Sequence, residues 1–188
     1  MVSGSNKQLR LAEIVENAIP GITKIQAAQH IEACLICLDY HKHPSSVEFI
    51  IKNDAEQKVS LRWDEAVNEQ MRRSWRDLQE ATEYGAAAIA ILLVIKYTEY
   101  TIIERSVKGT GFDYWLLEAQ RYDEETLLPK GTARLEISGI LHAVKDSEIH
   151  ARINDKKRQT NVSDKTLLPA LIIVVEFSRP EAHMVLKP

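Results

Sequence analysis

Two acids hold positions where they could do chemistry. Asp113 sits inside an aromatic run in "ERSVKGTGFDYWL" (104–116), just after a Gly-Thr-Gly turn, and Glu136 sits inside a later apolar run, "ARLEISGI" (133–140). Both runs read as strands. Strand alternation places Arg134, Glu136 and Ser138 on one face and Leu135 and Ile137 on the other. Two carboxylates on the same side of neighbouring strands suit a hard divalent cation such as Mg²⁺ or Mn²⁺. Such a cation takes oxygen ligands and accepts one or two protein carboxylates beside its waters. It lowers the pKa of a bound water and stabilises charge on a phosphoryl oxygen, which is the chemistry of phosphodiester hydrolysis. The plainer reading is that these acids are the solvated face of half-exposed strands.

The surrounding sequence supplies elements that could hold the pair. Residues 1–10 read as a loose terminus. From 22 to 40 the apolar residues Ala27, Ile31, Cys34, Leu35 and Leu38 recur at helical spacing. "HKHPSS" breaks that helix. A hairpin follows, with Val47, Phe49 and Ile51 alternating in one arm and Val59, Leu61 and Trp63 in the other, joined by "NDAEQ". Asp64 is a candidate N-cap for one or two helices. In them Leu78, Ala81, Thr82, Gly85, Ile89 and Leu92 trace a stripe whose small members would let a sheet approach closely. Strands are expected over 100–107, 112–119 and 133–141, with "QRYDEETLLPKGT" as a long loop between the last two. A polar amphipathic helix over 146–160 precedes "LPALIIVVEFS" (168–178), a continuous apolar run of the kind buried on both faces of a sheet. The fold class is α/β, a central mixed sheet flanked by helices. A helix and hairpin extension (1–63) is expected to pack on a core (64–188), the whole forming one domain.

This order of elements resembles the PD-(D/E)xK, or restriction-endonuclease-like, fold over roughly 83–178. "ATEYGAAAIAILL" resembles its first core helix, with Glu83 where an acidic residue is frequent. "YTIIERSVKGTGFDYWL" resembles the segment that carries the family's metal-binding aspartate, which maps onto Asp113. "ARLEISGI" resembles the strand that carries (D/E)xK, so Glu136 maps onto the second ligand, and "EIHARINDKKRQT" resembles the helix that follows. The resemblance implies a restriction-endonuclease-like core and a Mg²⁺- or Mn²⁺-dependent nuclease acting on DNA. Asp113, Glu136, the Ile137 carbonyl and Glu83 would be the ligands. The sequence departs from the pattern at one place: Ser138 stands where the family has its lysine. A hydroxyl carries no charge to offset what develops in the transition state. Lys108, in the turn before Asp113, is one candidate replacement. Arg152, Lys156 and Gln159, which share a helix face, are the other. The same departure supports a second reading, a catalytically inactive nuclease-fold protein that serves as a binding or assembly module. A third is an α/β interaction protein unrelated to nucleases.

Composition narrows the alternatives. The chain has 188 residues, a formal net charge of −3 and 45% hydrophobic residues, so it can bury a core but has no general field attracting it to phosphate. DNA contact would have to be local, at "MRRSWR" (71–76) or "NDKKR" (154–158), each otherwise a solvated helix face. A protein partner or a homodimer is a further expectation. The first residues have no apolar core of signal-peptide length, and the run "GAAAIAILLVI" (85–95) is too short to span a bilayer. With only two cysteines, a cytoplasmic, reduced protein without membrane contact is expected. Cys34, Cys37, His41 and His43 invite a zinc reading, but the cysteines lie on an apolar helix where burial is the simpler account. "GTG" lacks the ending of a phosphate loop and leads into a strand, so two glycines allowing a tight turn is the simpler reading. Trp63, Trp75 and Trp115 are read as core packing.

Overall fold

The computed structural model describes residues 8–123 and 131–188. In chain order the elements are β1 (Gln8–Arg10), α1 (Glu13–Glu16), α2 (Lys24–Tyr40), β2 (Ser46–Lys52), β3 (Glu56–Arg62), α3 (Glu69–Ser74), α4 (Leu78–Tyr97), β4 (Tyr100–Arg105), β5 (Tyr114–Glu118), β6 (Ala133–Ile140), α5 (Asp146–Gln159), β7 (Ala170–Glu176) and β8 (Glu181–Lys187). The eight strands form one mixed sheet in the order β1-β3-β2-β8-β7-β6-β5-β4. The coarse α/β expectation therefore holds.

Two helices fill the apolar side of this sheet. Thr23 caps α2 by accepting from the Gln26 N–H at 3.1 Å, and Asp77 caps α4 by accepting from the Gln79 N–H at 2.9 Å. The caps differ from expectation: Asn68 starts α3, and Asp64 caps neither helix. Gly85 of α4 meets the α2 backbone, where an added Cβ would lie 2.9 Å from the Cys34 Cα. The small residues thus admit a second helix at that point rather than the sheet. Cys34 and Cys37 are buried in the seam, and burial raises both thiols, Cys37 to about 12. By length and composition the 20-residue α4, longer than the apolar run 85–95 within it, is apolar enough to cross a membrane. Two thirds of its most apolar window, 67%, is buried inside the protein.

The other face of the sheet is covered only in part. Helix α5 connects the parallel strands β6 and β7 and buries Ile149 and Ile153 against Ile172 and Val174. The expected hairpin is β2 and β3, and it belongs to the main sheet because β2 pairs with β8. Two strands were not expected. Gln8–Arg10, read as a loose terminus, forms β1 beside β3. Strand β8 escapes the alternation rule because Glu181 and His183 are buried in it, where Glu181 pairs with Lys52 at 2.7 Å. Most of the expected long loop falls at 124–130, outside the described residues.

Candidate functional site

Strand β6 keeps its β7 partner from Arg134 to Ile140 but pairs with β5 only from Ala133 to Leu135. Beyond Leu135, β5 turns away and the backbone of β6 is left open on that side. Asp113 sits at this fork, in the bend just before β5. Its N–H donates to the Leu135 carbonyl at 2.8 Å and its carbonyl accepts from the Ser106 N–H at 2.7 Å. Its carboxylate accepts from the Ile137 N–H at 2.7 Å. The turn that delivers Asp113 needs its glycines: Gly109 and Gly111 have φ of +95° and +83°, and a Cβ on Gly111 would lie 2.5 Å from the Gln159 carbonyl oxygen. A strand residue presents its N–H and C=O to the same side, so the Ile137 carbonyl also faces the fork.

Glu136 lies on the α5 face of β6, as alternation requires, but it is not solvated: the residue is 1% exposed. It neighbours the Asp113 carboxyl, whose charge acts on it. From α5, Lys156 Nζ donates to Glu136 Oε1 at 2.5 Å and to Gln159 Oε1 at 3.0 Å. One turn earlier, Arg152 donates to the Ser138 hydroxyl at 3.1 Å. Glu136 Oε2 is buried with no hydrogen-bond partner. Burial and then the charge of Asp113 push the Glu136 carboxyl up to about 7, against the pull of Lys156. Burial also raises Asp113, opposed by the Ile137 N–H and by the charges of Lys156 and Arg105.

Asp113, Ile137, Ser138, Arg152 and Lys156 border an open-mouthed cavity of about 850 Å³, while Glu136 lies behind Lys156 and is not part of its lining. Glu83 lines it from α4 but stays exposed, and among the described residues no group of three or more acid, histidine or cysteine side chains gathers in metal-binding geometry. Lys108 is exposed in its turn and does not line the cavity. Of the two replacements considered for the missing lysine, only the α5 face reaches the acids. His41 and His43 are not near the cysteines in function: their Nε2 atoms meet the carbonyls of Leu141 at 2.7 Å and Phe177 at 2.8 Å. Of the tryptophans, Trp75 is buried, Trp63 packs against the core, and Trp115 meets Phe112 edge-on at 4.6 Å.

Among the cavity residues that were not singled out from the sequence are His30, Tyr84, Arg105, Tyr114 and His142. For Arg105 the reason is a β-bulge at Ile103. The pairs Ile102 with Leu116 and Arg105 with Tyr114 put Ile102 and Arg105 on one face, whereas plain alternation gives that face to Glu104. His30 interrupts an apolar helical stripe, which is the signal that was available for it.

The donor set suits a hard cation: two carboxylates, a backbone carbonyl at an open strand edge, and one carboxylate oxygen without a partner. Comparison with protein-family models, curated proteins and solved structures returns no match for this chain.

Proposed function

We propose that this chain is a metal-dependent phosphodiesterase acting on DNA, with a restriction-endonuclease-like core. The convergence of Asp113 and Glu136 at the fork between β5 and β6, with an ammonium group in contact, is the observation that carries the reading. The order of β5, β6, α5 and β7 supports it, since these elements match the segment that resembles the PD-(D/E)xK family.

Asp113, Glu136 and the Ile137 carbonyl would hold Mg²⁺ or Mn²⁺. When bound, the cation supplies a water of lowered pKa and stabilises charge on a phosphate oxygen. Asp113 is oriented for this by the Ile137 N–H, which fixes one of its oxygens and leaves the other for the cation. Glu136 offers its unpartnered Oε2. Lys156 Nζ has three donor positions, and its bond to Gln159 holds it at the cavity wall, where a further donor can meet a phosphate oxygen. Arg152 would add a second cationic donor beside Ser138, so that α5 supplies the charge the motif position lacks.

A single observation favours the alternative, an inactive nuclease-fold module that binds or assembles. Lys156 already satisfies Glu136 at 2.5 Å, so the acid has an internal cation. The two readings separate on one protocol. The purified chain is incubated with Mg²⁺ or Mn²⁺ and single-stranded, duplex or branched DNA, and Mn²⁺ binding is measured by calorimetry. Cleavage that falls about a hundredfold or more in Asp113→Ala is expected. Intact DNA in every case, with no Mn²⁺ uptake, leaves only the module.

A further inference from the structure

The cavity has a second end that plays no part in holding a cation. There α2 contributes His30, α4 contributes Tyr84 and β5 contributes Tyr114. His30 is 3% exposed, and its Nε2 lies 3.5 Å from the Tyr114 hydroxyl. The Tyr84 carbonyl lies near the ring, yet Nδ1 completes no hydrogen bond. A buried ring nitrogen left unsatisfied beside a cavity is costly unless something entering that cavity meets it. Burial, reinforced by the charge of Arg105, lowers His30 to about 4, so the ring is neutral near pH 7 and has one donor and one acceptor nitrogen.

Tyr84 is braced as a platform. Its ring lies 5.5 Å from that of His30 at a tilt of 39° and 5.5 Å from that of Trp75 at a tilt of 55°, so neither stacks flat on it, and the Trp75 indole N–H is held by Glu32 at 2.9 Å. Rigid aromatic faces with adjacent polar atoms are what a nucleobase stacks on and hydrogen-bonds to. Arg105 lies between the two ends: its charge acts on His30 and Tyr114 as well as on Asp113. It is exposed, lines the cavity, and makes no hydrogen bond or ion pair among the described residues. An unpaired guanidinium at such a place is a ready donor to a phosphate.

Within the two basic clusters of the sequence, one arginine each is answered by acids of the same chain: Arg72 by Asp39 and Glu69, and Arg158 by Asp155. With a net charge of −3, the chain has no general field drawing in a duplex backbone, which favours a grip inside the cavity over one along the surface. The volume of about 850 Å³ is within the range of small-ligand pockets and suits a nucleotide or two.

We infer that the His30, Tyr84 and Tyr114 end is a nucleobase pocket, that Arg105 positions the backbone between this pocket and the acid pair, and that the substrate is single-stranded DNA. This rests on the phosphodiesterase reading for its direction. Its test is a binding experiment without metal. The full chain, in EDTA, is titrated into a short fluorescein-labelled single strand and into the same sequence as a duplex. A second single strand carries a fluorescent adenine analogue that dims when stacked.

Single-strand binding tighter than duplex binding by about tenfold or more is expected, with a loss of about tenfold in Arg105→Gln, whose exposed side chain can be replaced without disturbing the core. The analogue dims with the wild-type chain and stays bright with Tyr84→Leu. Duplex binding as tight as single-strand binding overturns the inference. So does an unchanged affinity in Arg105→Gln, or displacement of the strand by inorganic phosphate as readily as by a dinucleotide. Should the binding pattern hold while metal-dependent cleavage fails, only the hydrolytic reading falls. Should duplex DNA be cut and single strands ignored, the pocket falls and the hydrolytic reading stands.

Discussion

Two glutamates on neighbouring strands, each 1% exposed, show what burial alone leaves undecided. Glu176 ends β7 and has both carboxylate oxygens engaged. Its Oε1 accepts from the Ala143 N–H at 3.1 Å, the Ser178 N–H at 3.0 Å and the Ser178 hydroxyl at 2.5 Å, and its Oε2 accepts from the Arg179 N–H at 2.6 Å. It ties the loop after β6 to the turn before β8. Glu136 on β6 has one ammonium, a second carboxyl beside it and an oxygen with no partner. A buried charge that the fold fully satisfies is part of the architecture. One that the fold crowds and leaves incomplete is held there at a cost, and such a cost is characteristic of a site.

The contrast can be broken in four ways. The largest effect belongs to Glu176→Ala, which strands three backbone N–H groups; a loss of about 3–5 kcal/mol in denaturant unfolding is expected, with little change in Mn²⁺ binding. A loss below about 1 kcal/mol would mean that Glu176 is no more structural than Glu136.

Glu136→Gln should act in the opposite direction. A carboxyl raised to about 7 holds its proton more tightly in the folded than in the unfolded chain. Its contribution to stability is complete below the unfolded value near 4.5 and is lost as pH rises through about 7. At pH 8 the amide therefore gains about 1–3 kcal/mol over wild type, a gain that shrinks towards pH 5, and it abolishes Mn²⁺ uptake. A destabilised variant at pH 8 would place Glu136 with Glu176. Mn²⁺ affinity of the wild-type chain should itself rise about tenfold between pH 6 and pH 8, because the ion displaces the proton that Glu136 holds. Flat affinity across that window would separate the proton from the site. The smallest effect is expected of Lys108→Ala, which should leave cleavage within about twofold of wild type, since the side chain lies outside the cavity. A drop comparable to that of Lys156→Met would reinstate the turn lysine.

Much of the fold was legible because local patterning and burial agreed. The 22–40 stripe became Lys24–Tyr40, the hairpin emerged at Ser46–Lys52 and Glu56–Arg62, and the continuous run at 168–178 became the fully buried Ala170–Glu176. Strand β8 was not legible, because a buried Glu181 needs Lys52 from a strand far away in sequence before its burial makes sense. Alternation correctly put Arg134, Glu136 and Ser138 on one face. It gave no sign that a helix would cover that face: Arg134 is buried against Ser163 at 2.7 Å, and Glu136 lies beneath Lys156.

The sequence by itself determined the residue types and the strand periods that bring an aspartate, at the entry to one strand, beside a glutamate on the next. It also contained the two glycines that let the chain turn sharply into Asp113. Only the tertiary structure decided that β5 leaves β6 after Leu135, that Lys156 rather than Lys108 meets the acids, and that a bulge at Ile103 turns Arg105 into the cavity. Each of those outcomes depends on where a strand loses or shifts its partner. Partner choice is set by packing between distant segments, on which local period and propensity are silent.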